Sequence, residues 1–422
     1  MRAFPAGFLW GCATSSHQVE GEQDNDWSAW ESQPGRIHDG TTCGDALGWW
    51  SGRAEEDLEL ARSLGHTAIR LSLEWSRIEP SRGQWDEDAL ARYQQILERA
   101  RDLGLTAMVG LNHFTLPRWL AEKGGWLAPD AAIEFGRYAD RCARRLGSVV
   151  PLWTTLNEPS VLAFMGYAGT QWPPGRGDVR AGMAAIRAQL LAHGAAFHAI
   201  HDVRPDAQVG LVLNAPALDA ARPERRRDRA VAAAQDWAFT GAVLDALGHA
   251  RLRFPLALRE EKAPSLRGAL DFVGLNYYGR YRVEFDPRAA GELFGRRLTE
   301  GTVKTAHNDW GEVHPEGLTR QLIRLSESLR VPVYVTENGI FDPTDARRRD
   351  YLVAHVRAVR DAIDRGADVR GYLCWTLVDN FEWAEGWSTP FGIVALDRDT
   401  QRRTPRESAR VLERIARANA ID

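Results

Sequence analysis

A (β/α)8 TIM barrel is the α/β fold class this sequence predicts, on two observations. Eight short β-branched or apolar runs recur along the chain, and longer amphipathic stretches separate them with no linker or composition shift between. The expected strands span residues 8–14, 67–73, 106–112, 150–156, 208–214, 271–276, 333–337 and 369–376. Each is bounded by turn residues, as a strand of a covered parallel sheet should be. Helical patterns fill the intervals at 53–64, 86–103, 129–146, 183–203, 228–247, 316–328 and 346–365. Gly65, Gly104 and Gly366 follow helical runs and suit C-terminal caps, while Pro129 suits a first helical turn. The stretch 285–307, rich in Gly and Arg, is expected as a long loop beyond the sixth strand. Residues 1–422 read as a single catalytic barrel domain.

Composition narrows the function classes. A net charge of −4 and a pI near 6.3 supply no overall basic field, so nucleic acid is not an expected partner. The clusters Arg225-Arg226-Arg227 and Arg347-Arg348-Arg349 read as solvated helix faces. Cys12, Cys43, Cys142 and Cys374 lack disulfide-framework or metal-ligand spacing and read as buried thiols in a reducing compartment. Cys12 and Cys374 fall on the first and last strands, neighbours once a barrel closes. The N-terminus, interrupted by Pro5 and Gly7, makes a poor signal peptide, and no run of about 18 apolar residues offers a membrane span. A cytoplasmic enzyme without membrane contact is the expectation. His193, His198 and His201 lack the i, i+4 pair of a zinc-binding helix, so no metal or other cofactor is expected. Oligomeric state has no signature here.

Barrel enzymes work at the C-terminal ends of their strands. There this sequence puts Gln18, Arg70, His113, Asn157 and Glu158, Asn214, Asn276 with Tyr278, Glu337 and Asn338, and Trp375. The two glutamates stand on the fourth and seventh strands, on opposite sides of an eight-stranded ring. Facing carboxylates among neutral hydrogen-bonding groups and aromatics describe a glycosidase site. A separation of about 5–5.5 Å gives a retaining enzyme and roughly 6.5–9.5 Å an inverting one. Strand position leaves that choice open.

Ordered motifs add a resemblance. Segment 155–159 reads TLNEP and 335–339 reads VTENG; 8–21 reads FLWGCATSSHQVEG, 70–80 RLSLEWSRIEP, 271–278 DFVGLNYY and 371–394 GYLCWTLVDNFEWAEGWSTPFGIV. Together they resemble glycoside hydrolase family 1 along nearly the whole chain. The resemblance implies a retaining β-glycosidase, with Glu158 as acid/base and Glu337 as nucleophile. It implies that Gln18, His113, Asn157 and Glu382 hold the hydroxyls of the non-reducing sugar. Trp375 would form its floor, Trp383 would lie beside its outer hydroxyls, and Arg70, Asn276 and Tyr278 would surround the nucleophile. Small-molecule β-glycosides and oligosaccharides are the implied partners. Glu382 can accept from both O4 and O6, which suits glucose and tolerates the axial O4 of galactose and fucose.

These roles make chemical sense on their own terms. A nucleophile must stay ionised, and an arginine with a phenol donor stabilises the charged form. Its charge keeps the opposite glutamate protonated for acid duty. Of the 16 tryptophans most read as packing, with Trp119, Trp126 and Trp310 as further candidates near the mouth. The blander readings are capping glutamates, an internal salt bridge at Arg70 and a loop-covered His113; six ordered motifs outweigh them.

The sequence also departs from the family pattern. Phe114 stands where a tryptophan is usual, segment 41–53 follows different wording, the Trp310-Gly311 order is reversed, and the chain is short enough to suggest trimmed aglycone loops. Two rivals are excluded on residues. A 6-phospho-β-glycosidase would replace Glu382 and add a lysine, and a phosphate about 4 Å from an ionised Glu382 would cost on the order of 4 kcal/mol. A binding-only barrel would lose one of the two glutamates, and both are present.

Overall fold

The computed structural model describes residues 2–422. Eight parallel strands close a barrel: β1 (Leu9–Ala13), β2 (Ala68–Ser72), β3 (Thr106–Asn112), β4 (Leu152–Asn157), β5 (Gln208–Asn214), β6 (Phe272–Asn276), β7 (Val333–Glu337) and β8 (Val369–Trp375). Each pairs with its chain neighbour, and β8 returns to β1 with Cys374 opposite Cys12, so no barrel edge is left open. The fold is the (β/α)8 TIM barrel that the alternating pattern predicts.

The outer layer comprises α1 (Ala54–Ser63), α2 (Glu87–Asp102), α3 (Ala131–Leu146), α4 (Val179–Val203), α5 (Arg226–Asp236), α6 (Ala242–His249), α7 (Pro315–Leu329), α8 (Arg348–Asp364) and α9 (Glu407–Ala418). Gly65, Gly104 and Gly366 follow α1, α2 and α8 with φ of +78°, +73° and +93°, the left-handed closure expected of C-caps. Pro129 lies outside α3, whose N-cap is Asp130. The pattern at 228–247 spans two helices, because the turn Trp237–Gly241 widens to π geometry between α5 and α6. The last helix, α9, is absent from the expected set, although Ala409, Leu412, Ile415 and Ala416 are buried at helical spacing.

Alternation within the strands divides two cores. Cys12, Ile69, Val109, Trp153, Val209, Val273, Val335 and Cys374 pack outward against the helices. Leu9, Ala68, Met108, Leu152, Phe272, Tyr334 and Leu373 form a separate apolar plug across the barrel floor. Above that plug the same strands turn polar, and this places the site.

The stretch 285–307 is not a structureless loop. It carries strands Gly295–Leu298 and Thr302–Lys304, part of a five-stranded sheet with Arg280–Phe285, Asp309–Glu312 and Ala217–Ala220. Charged pairs such as Arg222–Glu284 and Arg282–Glu312 line one face, while Leu218, Val283 and Phe285 pack against Val231 and Ala232 of α5 on the other. The charged face hides the strand period in the sequence.

Among the described residues no helix is long and apolar enough to cross a membrane.

Candidate active site

Two register shifts set the polar mouth. The β6–β7 ladder slips between Leu275 and Asn276, and the β4–β5 ladder between Thr154 and Asn157. Such bulges re-aim side chains at strand ends. Just beyond β4, Glu158 adopts φ +47° ahead of Pro159, a left-handed conformation that a glutamate holds only where its surroundings impose it. Its N–H donates to the Val212 carbonyl at 2.9 Å.

Glu337, at the end of β7, is 3% exposed and has a donor on each oxygen. Arg70 Nη1 donates to Oε1 at 2.5 Å, and the Tyr278 hydroxyl donates to Oε2 at 2.6 Å. Burial, with the Glu337 charge second, raises Tyr278 well above the usual phenol range, so it remains a neutral donor. Arg70 is itself 2% exposed and comes from the middle of β2, below its end. Its Nη2 donates to Asn157 Oδ1 at 2.6 Å.

Glu158 has a different environment. Asn276 Nδ2 and Asn214 Nδ2 donate to its Oε1 at 2.8 and 2.9 Å, and among the described residues no cation pairs with it directly. Burial, followed by the facing Glu337 carboxylate, pushes Glu158 up to about 8. The two glutamates are connected through amides: Arg70 and Asn276 both donate to Asn157 Oδ1, the latter at 3.2 Å. Asn276 is fixed in turn by the Thr336 hydroxyl at 2.7 Å.

That double acceptance also sets a tautomer. With Oδ1 occupied, Asn157 Nδ2 is the donor to His113 Nε2, 3.2 Å away. Burial, then Arg70, holds His113 well below the usual histidine range, so the ring is neutral with its proton on Nδ1. His113 Nδ1 has no protein partner and neither has Glu382 Oε2, though both are buried atoms. Each has its hydrogen-bonding capacity free for a bound hydroxyl. Gln18, in the short helix Ser16–Val19 after β1, donates to the Phe381 carbonyl at 2.7 Å and accepts from the Ser15 hydroxyl at 2.6 Å.

Aromatic rings complete the site. His113 stacks on Trp375 at 5.8 Å and on Trp383 at 5.9 Å, with the planes within 19° and 12° of parallel. Phe114 wedges against Trp383 and Trp172, so the smaller ring in place of the family's tryptophan is absorbed into packing. Trp172 carries no motif signal and escapes sequence reasoning. Trp310 packs with Phe391 and Phe341 beside Tyr278 and Trp375. Trp119 and Trp126 do not reach the site; they pack on Trp75 and Phe135. The histidine trio is dispersed, with His193 between Thr155 and Ala269, His198 on Ser265 and His201 on Asp271.

Burial also pushes Glu382 up to about 8, against the Trp375 indole hydrogen bond and with the Glu337 charge adding to the rise. Near neutral pH its carboxyl is therefore largely protonated, which weakens the charge argument against a phosphorylated sugar. What remains of the case is that Glu382 stands where a 6-phospho-β-glycosidase would carry another residue, and that 382–390 contains no lysine.

Comparison with known proteins identifies the family. The model of glycosyl hydrolase family 1 matches residues 1–421. Beta-glucosidase A of Thermotoga maritima is 33% identical over 449 residues, covering 100% of this chain and 99% of its own. Thermostable beta-glucosidase B of Thermobispora bispora is 36% identical over 444 residues, covering 99% and 92%. The structure of the Thermotoga maritima beta-glucosidase in complex with glucoimidazole superposes with a TM-score of 0.92 at 30% identity, over 100% of both chains. The chain is a glycosidase and belongs to glycosyl hydrolase family 1.

Proposed function

We propose that this enzyme hydrolyses terminal non-reducing β-D-glucosyl residues by double displacement, with Glu337 as nucleophile and Glu158 as acid/base. The observation that carries the reading is the contrast between the two carboxyls. Glu337 has a cation and a neutral phenol on its two oxygens, which suits an attacking anion. Glu158 is pushed up to about 8, which suits a proton donor at neutral pH.

In the first step Glu337 attacks the anomeric carbon while Glu158 protonates the departing oxygen. Glycosylation removes the Glu337 charge, and with it one cause of the raised Glu158 value. Glu158, ionised by donating its proton, is then more easily kept as a carboxylate. It takes a proton from the water that attacks the anomeric carbon, the bond to Glu337 breaks, and both carboxyls return to their starting states.

Gln18, His113 and Asn157 hold the glycone hydroxyls, Glu382 takes O4 and O6, and the sugar rests on Trp375 beside Trp383. Arg70, Asn276 and Tyr278 hold the two carboxyls in place. The relative bound to glucoimidazole supports a small-molecule glucoside as substrate. β-Galactosides and β-fucosides are slower substrates on this reading, and residues 1–422 act as one catalytic domain.

The test is covalent trapping. An activated aryl 2-deoxy-2-fluoro-β-glucoside should inactivate the enzyme and leave its sugar on the peptide containing Glu337. An adduct on any other carboxylate, or turnover with inversion at the anomeric carbon, sinks the proposal.

A further inference from the structure

We propose that Asp39 is a positioning residue for sugar binding, acting through the turn that carries Glu382 and Trp383. The inference rests on the reading that Glu382 holds the outer sugar hydroxyls.

That turn is built from a few short-range bonds. Glu382 N–H donates to the Gly386 carbonyl at 2.7 Å, Glu385 N–H to the Glu382 carbonyl at 2.9 Å and Gly386 N–H to the Trp383 carbonyl at 3.1 Å. Two of its residues sit at positive φ, Trp383 at +50° and Gly386 at +70°. Glu382 Oε2 has no protein partner. Apart from the Trp375 indole hydrogen bond to its carboxyl, its place in the site follows the backbone of the turn.

A segment from the β1–α1 connection ties that backbone down from outside. Asp39 Oδ2 accepts the N–H groups of Trp387 and Ser388 at 2.7 and 3.0 Å. Its Oδ1 accepts the N–H and hydroxyl of Thr41 at 2.9 and 2.6 Å. One carboxylate thus joins two loops, with both oxygens used. His38 N–H donates to the Ala384 carbonyl at 2.8 Å, and the Trp387 indole donates to the Thr42 carbonyl at 3.0 Å. The fit is close at Gly386, where a Cβ would come 2.0 Å from Asp39 Oδ1. Water can satisfy the two turn N–H groups once the carboxylate is gone, but it cannot fix their position. A displacement of about 1 Å at a substrate-positioning group can cost as much as 100-fold in rate.

The test compares full-length Asp39→Ala, Asp39→Asn and Glu382→Gln proteins on nitrophenyl β-glucoside and its 6-deoxy analogue. Asp39→Ala should lower kcat/KM on the glucoside about tenfold, chiefly through KM, and on the 6-deoxy sugar, which keeps only the O4 contact, by clearly less, about threefold. Asp39→Asn keeps an acceptor for the two N–H groups and should recover most of the loss. An equal loss on both sugars marks a merely structural role and overturns the proposal, as does no loss on the glucoside. The Glu382→Gln arm separates the two failures. If that variant does not discriminate between the sugars, the reading of Glu382 falls and takes the inference with it. If it discriminates and Asp39→Ala does not, the Asp39 inference alone is wrong.

Discussion

The two sides of the barrel mouth solve opposite problems with the same residue type. On the β7 side, Glu337 faces the buried Arg70 guanidinium and a phenol. On the β4 side, Glu158 is equally enclosed but receives only the amides of Asn214 and Asn276. Charge answers charge on one side, and dipoles without a direct counter-ion on the other. On the proposed reading, surroundings rather than residue identity assign acid and anion. Arg70 and Asn276 share a single acceptor, Asn157 Oδ1, so the two environments are mechanically one unit.

The largest effect should come from the charged side. Glu337→Gln should lower kcat on an activated aryl glucoside by four decades or more, about 5.4 kcal/mol or greater. It should also destabilise the fold by about 3–5 kcal/mol in denaturant titration, because Arg70 is left as a buried cation without its counter-charge. Retained activity would falsify the nucleophile assignment; unchanged stability would show that Arg70 does not need the carboxylate. Tyr278→Phe is a milder cut on the same side. Losing one hydrogen bond to a charged group is worth about 1.5–3 kcal/mol, so kcat/KM should fall roughly 10- to 150-fold with the hydrolysis products unchanged. A loss under about twofold would mean the phenol is a bystander.

The strands of the barrel were legible because their apolar runs are continuous and buried on both faces, as at Val333–Glu337. The hairpin at Gly295–Leu298 was not, because its exposed face is held by arginine–glutamate pairs that resemble solvent-facing loop. The motif residues were readable as a set, yet their partnerships were not. Nothing in the sequence reports that Asn157 Oδ1 accepts twice and so orients His113, since that depends on strands 4, 6 and 2 meeting above the plug. Asn214 stood at a strand end in the sequence, but only the shifted β4–β5 pairing brings it to Glu158. Trp119 and Trp126 misled for the converse reason: an indole looks the same whether it will face a sugar or a neighbouring helix.

The smallest effect tests the uncharged side, through stability rather than rate. Glu158 moves from an ordinary value of 4.5 up to about 8 on folding, through burial and then the Glu337 charge. Below pH 4.5 the carboxyl is protonated in both folded and unfolded chains and folding carries no penalty from it. Above that pH the unfolded chain ionises while the folded one keeps its proton until about 8. Stability is therefore lost as pH rises across that window. Glu158→Gln removes the titration and keeps a carbonyl oxygen for Asn214 and Asn276. The variant should unfold at the same temperature as the parent near pH 4.5 and a few degrees above it at pH 8. Glu382, raised in the same direction, is common to both proteins, so its own titration largely cancels in the difference. A pH-independent gap between the two melting curves would mean that Glu158 is not held neutral, and the contrast across the mouth would collapse. A widening gap would show that the acid's readiness to donate is carried as a cost to the fold, on the side where no cation answers it.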